Sequence, residues 1–405
     1  MIVKIAWKNI WRRPVRSLVV IVAVALGLWA GMFMVAFTNG LNQQRLEDQL
    51  NNSLGHIKFV HPAFAEEKQV GHTLPQVAKI AESLKKQPEV QAITTRVNLY
   101  GMASSSAGSF GVDIYGITPA TEQKVFAISQ QVVAGQYFNT RKRLPVVIGQ
   151  KLATRLGLKI GRKVVLSFQT MAGELTAGAF RVVGIYQITN TTFEESHVFV
   201  QASDLRALLG GRADLTHQVI AKLADYRQAP AVAARLQAHF PQCKVQSWEE
   251  ISPEMAYIDT VMRYFFYIFI GIILLALAMG IVNTMLMAVL ERTRELGMLM
   301  AIGMSRGRIL RMIMTETFLL TCTGLPIGLL LAWASVALSA QAGLDLSAVG
   351  EGFGALGYRS VIYPHLQPGE YLQICVMVFF TALLAALYPA WQALRLRPAE
   401  AIRKV

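Results

Sequence analysis

Four stretches of 22 to 28 residues contain no Asp, Glu, Lys or Arg: 17–38, 264–290, 317–344 and 371–394. A helix rises about 1.5 Å per residue and the hydrocarbon core of a bilayer is about 30 Å thick, so roughly 20 apolar residues suffice to cross it. Soluble helices rarely run this long without a charge. The pattern predicts one membrane span, then a long intervening segment, then three spans. Composition agrees: the 405 residues are 53% hydrophobic and only 16% charged, where soluble domains carry roughly 25% charged residues. The first stretch is longer than the 7–15-residue apolar core of a signal peptide and no small-residue cleavage site follows it, so it reads as an uncleaved anchor. The three cysteines, Cys243, Cys322 and Cys375, do not form a disulfide framework, and two of them lie in apolar stretches.

The net charge of +14 raises the question of nucleic acid. Its placement answers it. Lys4, Lys8, Arg12, Arg13 and Arg16 precede the first span. Arg292, Arg294, Arg306, Arg308 and Arg311 lie between the second and third, and Arg395, Arg397, Arg403 and Lys404 follow the fourth. Only Glu291, Glu295, Glu316 and Glu400 oppose these fourteen cations, so ten of the fourteen net charges belong to these three segments. Loop 345–370 holds one basic residue, Arg359. Positive segments stay on the cytoplasmic side, which predicts cytoplasmic termini and an extracytoplasmic segment between the first two spans. Nucleic acid is not needed as a partner. Residues 1–16 mix Ile2, Ile5, Ala6, Trp7, Ile10 and Trp11 with cations, a pattern that suits an interfacial helix. The expected layout is an interfacial helix at 1–16, spans at 17–42, 264–290, 313–344 and 371–394, an outer domain at 43–262, a cytoplasmic loop at 291–312, an outer loop at 345–370 and a tail at 395–405.

Gly27 and Gly31, and Gly324 and Gly328, are spaced for close helix approach. Pro326 and Pro389 are expected to kink the third and fourth spans. Eight of the sixteen methionines fall between Met279 and Met314; with no His or Cys among them, adaptable packing is the reading.

The intervening segment alternates in strand fashion at 56–60, 90–97, 110–115, 146–148, 163–168, 180–186, 197–200, 217–222 and 244–248. It has helical period at 74–86, 150–156, 202–209 and 227–239. The class is therefore α+β, with the outer parts packed together and the middle inserted as a second lobe. Chemistry is sparse. No Gly-x-Ser-x-Gly elbow is present. His56 and His61 lack a third ligand, so no metal site is expected. The adjacent acids Glu66-Glu67, Glu194-Glu195 and Glu249-Glu250 point apart and read as solvated surface. Ser104, Ser105 and Ser106 read as a flexible loop tip. No catalytic residue is assigned. No Gly-x-x-x-x-Gly-Lys-Ser/Thr occurs, so any ATP and magnesium chemistry belongs to a separate partner, and this chain is expected to bind no cofactor. A charge buried mid-span costs about 2.5–3.5 kcal/mol on insertion scales, and the lack of one argues against an ion relay.

The segment Glu291-Arg-Thr-Arg-Glu-Leu-Gly-Met-Leu-Met-Ala-Ile-Gly-Met-Ser-Arg-Gly-Arg-Ile309 is the most informative. Glu291 and Glu295 share one helical face, and Leu296 and Met300 another. Gly297, Ala301 and Gly303 carry little bulk, and Gly303 can end the helix. Read alone, it is either an amphipathic helix that docks in a partner's groove or a plain turn whose arginines set topology.

This segment resembles the signature of FtsX-like permeases of the type VII ABC transporter family, which includes lipoprotein-releasing, macrolide-exporting and cell-division permeases. "AWKNIWRRPVRS" at the start is similar to that family's N-terminal helix. "GQYF" at 135–138, "VVIGQKLATRLGLKIGRKV" at 146–164 and "FRVVGIY" at 180–186 resemble its MacB-like periplasmic core domain. "YPAWQALRLRPAEAIR" at 388–403 resembles its end. Met300 stands where the family often has Arg, and Arg162 where it often has Asp.

The resemblance implies mechanotransmission: two permease chains, the same or related, on two copies of a cytoplasmic ABC ATPase. Glu291, Arg292, Glu295, Leu296, Gly297, Ala301 and Gly303 would form the ATPase-coupling surface. Span two would run unbroken from that helix to the outer domain. The expected location is the cell inner membrane, with the large domain periplasmic. The nearest subgroup is the lipoprotein-releasing type, extracting a lipidated or amphipathic substrate from the outer leaflet, with membrane lipids and a periplasmic carrier or adaptor as further partners. An outward pocket between spans one and two would include Met32, Phe33, Phe37, Phe265, Phe266 and Phe269. The alternatives are a non-transporting permease that activates a periplasmic partner, and an efflux permease of a tripartite pump.

Overall fold

The computed structural model describes residues 6–7, 10–12, 14–139, 142–210, 214–346 and 361–395. In chain order its elements begin with α1 (Pro14–Gln49), a π-helical turn at Leu50–Leu54, β1 (Ile57–Val60), α2 (Pro62–Glu66) and α3 (Val77–Lys85). Next come β2 (Val90–Ser105), β3 (Gly108–Ile117), α4 (Pro119–Val125), β4 (Val132–Gly135), β5 (Pro145–Gly149), α5 (Gln150–Arg155), β6 (Lys163–Gln169) and β7 (Leu175–Tyr186). They continue with α6 (Thr191–Ser196), β8 (His197–Gln201), α7 (Ala202–Leu208), β9 (Gln218–Leu223), α8 (Ala229–His239), β10 (Lys244–Ser247) and α9 (Trp248–Ile251). The last are α10 (Pro253–Glu291), α11 (Thr293–Ala301), α12 (Arg306–Ala342), β11 (Leu344–Asp345), β12 (Val361–Ile362) and α13 (Pro368–Leu394). Two compact units result: 44–258, and 6–43 with 259–346 and 361–395.

Unit 44–258 is built on one ten-stranded sheet in the order β10-β1-β9-β2-β3-β8-β5-β7-β4, with β6 joined to β2 and β7. The two expected lobes therefore share a sheet. The reason is the length of β2: at about 3.3 Å per residue its 16 residues reach about 50 Å. Its first part pairs β9 from Val90 to Arg96, and its second part pairs β6 from Gly101 to Ser104. The unit's two largest apolar clusters remain distinct. Ile57, Phe59, Val219, Ala221, Ile80, Leu84 and Leu236 form one under α3 and α8. Val97, Leu99, Val112, Ile114, Val198, Val200 and Leu205 belong to the other. In each strand these residues alternate with side chains on the opposite face, as a two-residue period requires.

The serine run is not loose. Ser105 and Gly108 close the β2–β3 hairpin as a cross-strand pair. Ser105 Oγ donates to the Leu156 carbonyl at 2.7 Å and accepts from Ala107 N at 3.1 Å. Glu194 is likewise not solvated: it is buried, and its carboxylate accepts from the backbone N–H of Lys151 at 2.7 Å and of Ile188 at 3.4 Å. Burial pushes its pKa up against those bonds. Glu195 meets solvent and pairs with Arg155 at 2.9 Å.

Among the described residues, the other unit gathers four helices long and apolar enough to cross a membrane. Both expected domain edges, 42 and 262, fall inside helices: α1 runs on to Gln49 and α10 starts at Pro253. Charged residues end an apolar stretch but do not end a helix. Val24, Leu28, Met32, Leu277, Ile281, Leu320, Ala332, Ile374 and Val378 share one apolar cluster. A Cβ on Gly328 would lie 2.7 Å from the Ala25 carbonyl, and one on Gly324 would lie 3.0 Å from the Ile21 carbonyl, so the second glycine pair is where α12 meets α1. Trp29 Nε1 donates to Ser335 Oγ at 3.0 Å across the same contact. Residues 6–7 and 10–12 are helical, with Ala6 and Ile10 buried and Trp7 and Trp11 exposed. The remaining N-terminal residues, most of loop 345–370 and tail 396–405 lie outside the described residues.

Candidate functional site

The segment after α10 is the strongest site in the unit of long helices. α10 ends at Glu291, and α11 is a separate helix, so the expected unbroken passage from one to the other is corrected. The reason is local. Arg292 leaves helical geometry at φ −103°, ψ 14°, its N–H bonds back only three residues to Val289, and Thr293 Oγ1 takes the Leu290 carbonyl at 3.0 Å. Ion pairs bridge the break. Arg16 pairs with Glu291. Arg292 Nη1 donates to both carboxylate oxygens of Glu316, at 3.0 and 3.3 Å. Arg12 reaches Glu295 at 3.6 Å, an exposed pair that contributes at most about 1 kcal/mol.

α11 ends in a Schellman turn. Gly303, at φ +98°, donates to Met300, and Met304 donates to Leu299. Leu296 and Gly297 are buried, and Leu299 and Met300 are half-buried, packed on the helix cluster. Glu291, Glu295, Met298, Ala301, Ile302 and Gly303 are exposed. A cavity of about 500 Å³ lies against α11, lined among others by Arg12, Val289, Leu296, Met298, Ile302 and Met312.

The structure therefore divides the seven expected coupling residues. Glu291, Glu295, Ala301 and Gly303 face outward. Leu296 and Gly297 hold the helix on the bundle, and Arg292 is bound inward to Glu316. Sequence reasoning missed Met298 and Ile302, an i, i+4 apolar pair on the outward face, with Ile302 81% exposed. Their spacing was the available signal. Arg12 and Arg16 were read only as topology signals, although both reach this segment.

The six expected substrate contacts are also divided. Met32 is fully buried in the helix cluster, on the face of α1 that carries Leu28 and Val35, so its place in an outward pocket is corrected. Phe33 and Phe266 pack against the same cluster, and Trp29 stacks on Phe33 at 6.1 Å. Phe37 is half-buried, while Phe265 and Phe269 are exposed.

Among the described residues no group of three or more His, Cys, Asp or Glu could hold a metal. His56 is used structurally: its Nδ1 accepts from Leu223 N at 3.1 Å, and burial pushes its pKa down to about 4. His61 Nδ1 caps α2 by accepting from Ala63 N at 3.2 Å.

A family model for the MacB-like periplasmic core domain matches residues 17–239, and one for the FtsX-like permease C-terminal matches 267–398. The lipoprotein-releasing system transmembrane protein LolC of Neisseria meningitidis is 24% identical over 407 residues, covering 96% of this chain and 94% of that protein. The macrolide export ATP-binding/permease protein MacB of Brucella abortus is 23% identical over 415 residues, covering 99% of this chain and 60% of that protein. The crystal structure of the periplasmic region of MacB from Actinobacillus actinomycetemcomitans aligns at TM-score 0.36 and 14% identity, over 53% of this chain and 98% of that one. The first family model alone takes in more than half of the chain, and the chain belongs to the FtsX-like ABC transporter permeases with a MacB-like periplasmic core domain, of the LolC and MacB type.

Proposed function

We propose that this permease extracts a lipidated or amphipathic substrate, foremost a lipoprotein, from the outer leaflet of the inner membrane. It works as one of two permease chains, the same or related, on two ABC ATPase subunits. The observation that carries the reading is the alignment with LolC over nearly the whole of both chains. The outward face of α11, with Glu295, Met298 and Ile302, is the docking surface for the ATPase, which puts that face and both termini in the cytoplasm. α10 is the lever: 39 residues at about 1.5 Å each give roughly 58 Å of continuous helix, with its only proline at the first position. The pairs Arg16–Glu291 and Arg292–Glu316 carry a push on α11 across the break at Arg292. The likeness to MacB over 99% of this chain favours a second reading, efflux of small molecules.

The test is purification from native membranes in mild detergent, followed by mass spectrometry of bound proteins and lipids. An ATPase together with a triacylated lipoprotein is the expected result. An ATPase recovered with an adaptor and no lipoprotein would favour efflux, and one recovered with a periplasmic hydrolase alone would favour signalling.

A further inference from the structure

The face of the outer-domain sheet opposite its two largest apolar clusters holds smaller apolar groups around Phe199 and Ile220 and, beside them, charge. Lys58 alternates with Ile57 and Phe59 on β1, and Arg96 and Asn98 alternate with Val97 and Leu99 on β2. Register then aligns them: Lys58 stands opposite Ile220, Ile220 opposite Thr94, Gln218 opposite Arg96, and Asn98 opposite Tyr115. Directly opposed residues share a face. β1 and β2 are separated only by β9, and Arg96 is offset from Lys58 by two residues along the strands, so their backbones lie roughly 12 Å apart across the sheet.

Above this floor lies an open cavity of about 650 Å³, walled by segments 45–54, 189–197 and 251–258. Among the described residues four cations line it, Arg45, Lys58, Lys68 and Arg96, against one carboxylate, Glu254. Two of the cations are already matched. Arg96 is bound to Glu122, with Nε donating at 2.8 Å, and Lys68 reaches Asp113 at 3.1 Å. Lys58 is not: among the described residues its ammonium makes no hydrogen bond or ion pair. A second group is also unanswered. Asn98 is 1% exposed, lines the cavity, and its Oδ1 has no hydrogen-bond partner. Amide O and N are interchangeable by a flip, so the same side chain can offer a donor there.

We infer that this cavity is an oxyanion site, in which Lys58 and Asn98 bind the phosphate of a phosphorylated ligand. Lysine is a point charge well suited to phosphate, and a buried polar group without a partner carries a desolvation cost that a ligand's hydrogen bond would offset. The cavity is larger than a bare phosphate, so it has room for the group that the phosphate is attached to. The local field agrees. Burial, followed by Lys68, Arg96 and Lys244, pushes the Lys58 ammonium down to about 8, a destabilisation that a bound anion would relieve. The ligand would bridge the sheet to the segments that begin α10 and extend α1, so its binding would report on, or restrain, the outer ends of both helices.

The experiment uses the full-length chain in uncharged detergent at constant ionic strength, with hydrogen exchange read on β1, β2 and residues 251–258. Titration with inorganic phosphate is one arm. Reconstitution in nanodiscs of phosphatidylcholine with or without phosphatidylglycerol is the other. Saturable protection by inorganic phosphate supports a site for soluble phosphorylated ligands. Protection only with phosphatidylglycerol supports the same site filled by a lipid headgroup. Either should weaken at least tenfold in Lys58→Met and survive in Lys58→Arg, which also separates lost binding from lost folding. No saturable protection in either arm, or equal protection in Lys58→Met, overturns the inference.

Discussion

Replacing Arg96 with Met should loosen the middle of the outer-domain sheet. Arg96 and Glu122 are each 1% exposed, with Nη2 and Oε1 2.6 Å apart. Glu122 also accepts from Thr94 at 2.8 Å, and the guanidinium lies 3.8 Å from the Phe126 ring centroid. Removing the cation leaves a buried carboxylate with only the threonine bond, and breaking a buried pair in this way costs about 3–5 kcal/mol. The loss of stacking on Phe126 contributes about 0.5–2 kcal/mol within that range. A cost of 3–5 kcal/mol raises the open population of the sheet by roughly 10²–10³·⁵-fold, since each 1.4 kcal/mol is a factor of ten. A membrane chain with two units need not unfold in one step, so the assay is native-state hydrogen exchange read on β2 and β9 in the full-length protein. The double variant Arg96→Met with Glu122→Leu should recover most of the loss, because no charge is then left buried. Arg96→Lys should fall between, since it keeps the charge but not the planar stacking. A single-variant cost under about 1 kcal/mol, or a double variant no better than the sum of its singles, would refute the reasoning.

Gly328→Val should lower the detergent melting temperature by the equivalent of about 1–3 kcal/mol, because the new Cβ meets the Ala25 backbone; Gly271→Ala, with nothing within 4 Å, should leave it unchanged or raise it. Acid should weaken the outer domain. His56 has its pKa depressed to about 4 from 6.5, so the unfolded chain takes up a proton first and stability falls as pH drops from about 6.5 to 4, by on the order of 3 kcal/mol. His197 is shifted down by burial as well, against the pull of Asp113, and adds in the same direction; urea midpoints at pH 7 and 4.5 check both. Ile302→Asp and Glu295→Lys should each abolish stimulation of a co-purified ATPase without changing the melting temperature, because both side chains point outward from α11; normal stimulation in both would remove α11 as the docking surface.

The outcomes above depend on residues that differ in how visible they are in the sequence. The four apolar stretches and nine of the sheet's strands were legible, because membrane thickness and a two-residue period act on neighbouring positions. β4 was not: Val133, Ala134 and Gly135 are exposed, and an edge strand with little to bury leaves no alternation. α2 and α4 were missed because each is one or two turns long and starts on a proline, which punctuation rules read as a loop. At α11 the sequence contained the helix and its glycine stop, but not the break at Arg292. That break depends on Glu316, 24 positions away, giving the arginine somewhere to go.

The outer cavity lies at the far end of this scale. The alternation of Lys58 with Ile57 and Phe59, and of Arg96 and Asn98 with Val97 and Leu99, was in plain view as local period. Period alone does not say what those side chains face; the register across β9 places Lys58 and Arg96 on one face, and both line the cavity with Arg45 and Glu254. A charge that breaks an otherwise apolar strand is ambiguous by itself, since solvent and a partner satisfy it equally well. Glu122 settles the matter for Arg96 from 26 positions away, and in the loop before α3 Asp113 meets Lys68 from 45. Lys58 is half-buried, with Lys68, Arg96 and Lys244 as positive neighbours, yet it has no carboxylate of its own. Of the cations that line this cavity, Arg96 and Lys68 are answered by protein carboxylates and Lys58 is not, which makes Lys58 the position where a ligand's charge lowers the free energy most.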